Sequence, residues 1–202
     1  MDVLTDEVGL NRLYQELAEL DRYSIEIGIF GSDDSFYTMI ANVHEFGMTI
    51  HAKNQYLTIP TKEAEGRKAA DIPGLFRPKG KNVLAVKDGD GIKVMFILKE
   101  SVNIPERSFV RSTFDEKNDE WLDFLEGQIE KVCELEIDAK TVFNRLGAKI
   151  VGDIQEKMRD IRTPPNAPLT VENKGSDNPL IVDGSLRRHV TWKLVRDNGE
   201  YV

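Results

Sequence analysis

Cysteine, histidine and positive charge are all scarce in this chain, and each shortage excludes something. The single cysteine, Cys133, rules out an internal disulfide framework and suits a reducing cytoplasm. The three histidines, His44, His51 and His189, share no ligand spacing, so no metal or other cofactor is expected. "HEFG" at 44–47 starts like a zinc-protease helix, but Met48 stands where the second histidine belongs. Lys and Arg total 27 against 35 Asp and Glu, a net charge of −8 that argues against non-specific DNA binding through counterion release. Aromatic residues make up 8%, too few for the deep cleft of a glycoside hydrolase. No apolar run approaches the roughly 20 residues needed to span a bilayer. The opening "MDVLTDEVGLNRLYQ" has neither the basic start nor the apolar core of a signal peptide, so a cytoplasmic chain with no membrane partner is expected. GxGxxG, Walker and GxSxG patterns are missing as well, and no enzymatic role is expected.

What is present suits a soluble globular protein: 202 residues, 40% hydrophobic and 31% charged, enough for one medium domain with a true core. The acid is concentrated. Between Asp115 and Asp138 ten acidic residues stand against Lys117 and Lys131 alone, which equals the whole net charge. Such a run reads as a solvated helix face, or as a surface that repels phosphate or pairs with a basic partner.

Periodicity outlines the fold. Residues 8–20 carry Leu10, Leu13, Tyr14 and Leu17 at helical spacing, and "YSIEIGIFG" alternates as a half-buried strand. An N-cap cluster at 32–35 opens a helix that Gly47 stops. "TIHAKNQYLTIP" reads as a strand interrupted near 53–55, and 61–82 as a long exposed excursion, partly helical near 63–70. "VLAVKDGDGIKVMFIL" is a hairpin with a central second strand; its DGDG turn lacks the rest of a calcium loop. A long helix follows, opened by Pro105 and striped by Phe114, Trp121, Leu125, Ile129 and Val132. A second helix at 139–161 has Gly147, Ala148 and Gly152 on one flank, small enough for a neighbouring backbone to approach. Beyond Pro164, Pro165, Pro168 and Pro179, residues 184–188 form a short turn or helix and "VTWKLV" a returning strand. The expected fold is α+β, a small, mainly antiparallel sheet packed by two longer helices. It divides into a core at 1–162 and a proline-rich C-terminal arm with its closing strand at 163–202.

Two segments combine arginine with aromatic anchors. "IPERSFVR" sets Arg107 and Arg111 four apart around Phe109, which is either core or partner contact. "SLRRHVTWK" joins Arg187 and Arg188 to Trp192, residue types typical of interfaces. In the arm, Leu180 adds an apolar anchor, while Pro164 and Pro165 lower the entropy cost of ordering it. These nine residues are the candidate subunit or partner contacts. Cys133, among Glu130, Glu134 and Glu136, has the wrong surroundings for a reactive thiolate and reads as a small core residue.

The order of "EFG" at 45–47, "IPERSFVR" at 104–111 and "PPNAPLTVENKGSDNPLIVDGSL" at 164–186 resembles the tailed-phage virion morphogenesis and tail-completion proteins, the head–tail neck proteins of the Mu-like and related groups. The resemblance covers most of the chain from about Val43 onward. It departs at Asp183, where that family commonly has threonine, and at Arg188 and His189, where a serine often follows. The resemblance implies a structural protein without catalytic residues that forms a homo-oligomeric ring and completes head–tail joining. The partners it implies are further copies of the chain, connector or neck proteins, and the tail tube or tail terminator, with DNA only as passing cargo. It would pass from the host cytoplasm into the virion neck, and Asp115, Asp119, Asp123 and Glu126 would present an acidic face to DNA in the lumen. Two alternatives stay open: an equivalent ring capping a headless phage-tail-like bacteriocin, and a metal-dependent nuclease using Asp115 and Asp119.

Overall fold

In the computed structural model, which describes residues 7–202, the chain passes four times between two units. One comprises the chain up to Ala41, Ser108–Ile161 and Asp183–Val202; the other comprises Asn42–Arg107 and Arg162–Val182. In chain order the elements are α1 (Glu7–Leu20), β1 (Tyr23–Gly28), α2 (Ser35–Phe46), β2 (Met48–His51), β3 (Leu57–Pro60), β4 (Val83–Asp88) and β5 (Gly91–Lys99). There follow β6 (Ser101–Ile104), α3 (Arg111–Cys133), α4 (Ala139–Asp160), α5 (Pro168–Lys174), α6 (Ser185–Arg188) and β7 (Thr191–Arg196). The architecture is α+β, with small antiparallel sheets of two or three strands and two longer helices. No helix among the described residues is long and apolar enough to cross a membrane.

In the first unit α4 is the central element. Val142, Leu146, Ile150, Ile154 and Met158 recur at helical spacing and are all buried. The helix starts at Asp138, whose carboxylate accepts from the Thr141 amide at 2.7 Å, a cap worth about 1 kcal/mol. It packs on a two-stranded antiparallel ribbon in which Ile25 of β1 faces Leu194 of β7 and Ile27 faces Trp192. Gly147 admits a side chain here, where a neighbouring backbone was expected. A Cβ at Gly147 would stand 2.5 Å from the Trp192 indole, whereas nothing lies within 4 Å of one at Gly152. Polar ties join α3 to α4: Trp121 Nε1 donates to Asp153 at 2.6 Å, and Lys149 bridges Glu120 and Asp153. α3 begins six residues after Pro105, where the Ser108 hydroxyl accepts from the Ser112 amide at 3.3 Å, so Pro105 does not open the helix. Val132 is buried at the end of α3, but Cys133, one helical step round, is exposed and is not a core residue. α1 buries its stripe only in part, leaving Leu10, Tyr14 and Leu17 exposed.

The second unit is built on a three-stranded sheet in the order β3-β5-β4, with β5 central as expected, and on the β2–β6 pair. β5 buries Met95 and Phe96, both in one core cluster. Ala64 and Ile72 cover this core from the 61–82 segment, which therefore folds back through two 3-10 turns, Lys62–Ala64 and Ala69–Asp71, and is not a wholly exposed excursion. Thr61 donates through both its amide and its hydroxyl to Met95 O, 34 residues on, pinning the start of the segment to β5. Residues 163–202 do not form a unit of their own either. The first twenty join this second unit and the last twenty join the first.

Candidate functional site

The residues singled out in the sequence fall into three places. The first is a cationic clamp in the second unit. Asp34 starts α2, accepting from the Phe36 and Tyr37 amides. The helix ends at Gly47, whose φ of +69° and close approach to the Glu106 backbone (2.8 Å for an added Cβ) require glycine. The chain after β6 docks here, the Arg107 amide donating to His44 O at 2.7 Å. The Arg107 side chain is 5% exposed. Its Nε donates to Pro164 O at 2.7 Å, and its Nη2 donates to Pro165 O at 2.9 Å and reaches Asn166 Oδ1 at 3.5 Å. Consecutive prolines have carbonyls but no amide hydrogens, so this stretch cannot join a ladder, and a guanidinium supplies donors in the right fork.

Lys174, at the end of α5, acts in the same way on the Asn178 and Pro179 carbonyls. Asn178 Oδ1 in turn accepts from the Leu180 and Ile181 amides, closing the hook as a side-chain-capped turn. His44 Nδ1 lies 3.5 Å from Arg107 Nη1. Burial, with Arg107 and Lys174 nearby, pushes His44 down to about 4, so it is neutral at physiological pH. Burial also lowers Arg107 and Lys174 from their ordinary values.

The clamp corrects three of the expected contacts. Arg107 is spent inside the chain, Phe109 is 1% exposed and Leu180 4% exposed, so none offers a surface to a partner. Pro164 and Pro165 act through their carbonyls, as acceptors for Arg107. Lys174 and Asn178 are functional members that sequence reasoning missed. The available signal was the Pro-Pro pair itself, which leaves carbonyls needing donors.

The second place is the end of the arm. Trp192 rests on Gly147 and its Nε1 donates to Asn144 Oδ1 at 3.2 Å, so this ring too is used internally. Arg188 is exposed but donates to Asp183 O and the Ser185 hydroxyl. Arg187 is half-buried, and its Nε has no hydrogen-bond partner among the described residues. His189 stacks on Tyr37 with ring centroids 4.0 Å apart. Arg111 is exposed on the first turn of α3.

The third place is the acidic face of α3, and it is not uniform. Glu116 pairs with Lys157, while Glu120 pairs with Lys117 at 2.7 Å and Lys149 at 2.6 Å, which holds its carboxyl down at about 2. Asp115, Asp119, Asp123 and Glu126 are exposed and enter no ion pair among the described residues. Among the described residues no three or more His, Cys, Asp or Glu side chains group so as to hold a metal ion. Comparison with protein-family models, curated proteins and solved structures finds no match.

Proposed function

We propose that the chain is a structural protein of a tailed-phage or prophage virion, assembled in the host cytoplasm as a ring at the neck or tail end, where it completes head–tail joining. The observation that supports this most is the convergence on Arg107. "HEFG" supplies His44 O and the glycine turn, "IPER" supplies the arginine, and "PPN" supplies the carbonyls. The segments that resemble the neck proteins lie 57 to 63 residues apart in sequence, yet they meet in one part-buried polar knot around the buried Arg107. Such a knot has a scaffolding role: it shapes an ordered hook from a proline-rich segment and leaves its outer surface to be read by neighbours. The mechanism is geometric, since repeated copies of a rigid, pre-ordered surface close a ring at low entropic cost.

Electron microscopy of lysates from a phage or prophage lacking the gene tests the reading. Filled heads beside separate full-length tails are expected, and intact joined particles would overturn it.

A further inference from the structure

Between β1, α3 and α4 lies an open groove of about 360 Å³. Apart from Asn118 its lining is apolar: Ile25 and Ile27 from β1, Trp121 and Leu125 from α3, Ile150 and Ile154 from α4. Phe114 and Leu122 also line it and remain 54% and 50% exposed. A contiguous exposed apolar surface of this kind marks a contact site. The next row along α3, at three- and four-residue spacing, sets Asp115, Asp119 and Glu126 around Leu122, and these three acids enter no ion pair among the described residues. The groove therefore calls for an apolar group flanked by cations.

Three exposed surfaces of the same chain can be weighed against that requirement. α1 exposes Leu10, Tyr14 and Leu17 but carries Glu7, Glu16 and Glu19 against Arg12, the wrong sign beside Asp115 and Asp119. The 185–193 segment is basic, but Leu186 and Val190 are buried and Trp192 is seated on Gly147. The loop at 76–82, "FRPKGKN", fits. It has an aromatic ring, three cations and no acid, and Phe76, Arg77, Lys79 and Lys81 are all exposed. Its shape is pre-ordered, because Arg77 lies 4.7 Å over the Tyr56 ring and donates to Lys81 O and Asn82 Oδ1.

We infer that the α3 groove of one copy receives the 76–82 loop of a second copy, with Phe76 between Phe114 and Leu122 and with Lys79 and Lys81 along Asp115, Asp119 and Glu126. The volume sits in the range of roughly 300–1,000 Å³ typical of ligand pockets, enough for one aromatic ring and its flanking methylenes. Groove and loop are different surfaces, so when each copy gives its loop to the next the contact is heterologous, which is what a ring requires. This contact deepens the ring reading and rests on it.

The test uses the purified full-length chain, with light scattering across a concentration series. The groove variant is Asp119→Lys with Glu126→Lys, and the loop variant is Lys79→Glu with Lys81→Glu. All four residues are exposed, so unchanged thermal melting is expected of both. Wild type should self-associate, and less so in high salt. Each variant alone should need at least about tenfold more protein to assemble, and mixing the two variants should recover most of the loss. Assembly indifferent to both variants, or two defects that mixing does not repair, would overturn the contact and leave the ring reading standing. A wild-type chain that stays monomeric throughout would also overturn the contact, and the separated-tail phenotype would then decide the ring reading by itself.

Discussion

The two halves of the proline-rich arm are held by different physics. The first, Arg162–Val182, is tied by Arg107 and Lys174, cations donating to backbone carbonyls that prolines leave without partners. The second, Asp183–Val202, is tied by the β1–β7 ladder and by the Trp192 ring over Gly147. A polar clamp depends on protonation and donor geometry; a ladder with a seated ring depends on shape. Each half should therefore fail under perturbations that spare the other.

The largest effect is expected from Arg107→Ala. It leaves the Pro164 and Pro165 carbonyls without their donors, at a cost of about 2–5 kcal/mol. Hydrogen exchange should rise in 162–182 and stay unchanged in β7. Arg107→Lys keeps the charge but loses the fork, so it should fall between wild type and alanine. Equal loosening of both halves would erase the distinction.

Acid should act on the clamp next. His44 is held at about 4 in the fold against an ordinary 6.5, so it is neutral in both states above pH 6.5. As the pH falls below 6.5 the unfolded chain takes up the proton first. Stability is therefore lost progressively down to about pH 4, by at most about 3 kcal/mol. Denaturant melts of wild type and His44→Gln between pH 7 and 4 check this: the variant should lose the slope that wild type shows.

Gly147→Ala strikes the other half. An added methyl meets the Trp192 ring, so overpacking of about 1–3 kcal/mol outweighs the roughly 1 kcal/mol that alanine contributes to a helix. Gly152→Ala, on the same helix with open space, should instead stabilise by up to about 1 kcal/mol. Opposite shifts of Tm for one substitution at two sites five residues apart would confirm that the ring, not the helix, sets the sign. Smallest of all is Glu120→Gln, which removes the two ion pairs of an exposed carboxylate. Tm should barely change at neutral pH, and the variant should lose only the acid sensitivity that wild type shows between about pH 4.5 and 2.

Much of the fold was legible along the chain. The stripe of α4, the Gly47 stop of α2 and the 83–99 hairpin all followed from spacing and turn chemistry, because those signals are local. The same local rule misled where a residue's neighbour comes from elsewhere. Pro105 resembles a helix start, but the chain there is docking on the end of α2. Residues 61–82 are polar enough to read as exposed, yet two of them, Ala64 and Ile72, complete the core over β5.

Of the candidate contacts, the residue types were informative and their direction was not. Arginine beside an aromatic describes a buried clamp as well as a docking face, and only the partner tells which. By itself the sequence determined the stripe of α4, the 83–99 hairpin, the α+β class and the concentration of acid on one helix, since these depend on the period of side chains along a single segment. The tertiary structure alone decided that Arg107 and Phe109 point inward and that Gly147 receives a ring. It alone decided, too, that α3's acids divide into a flank neutralised by α4 lysines and a flank left open. Those outcomes depend on which distant segment arrives at each face, and a one-dimensional pattern carries no record of that arrival.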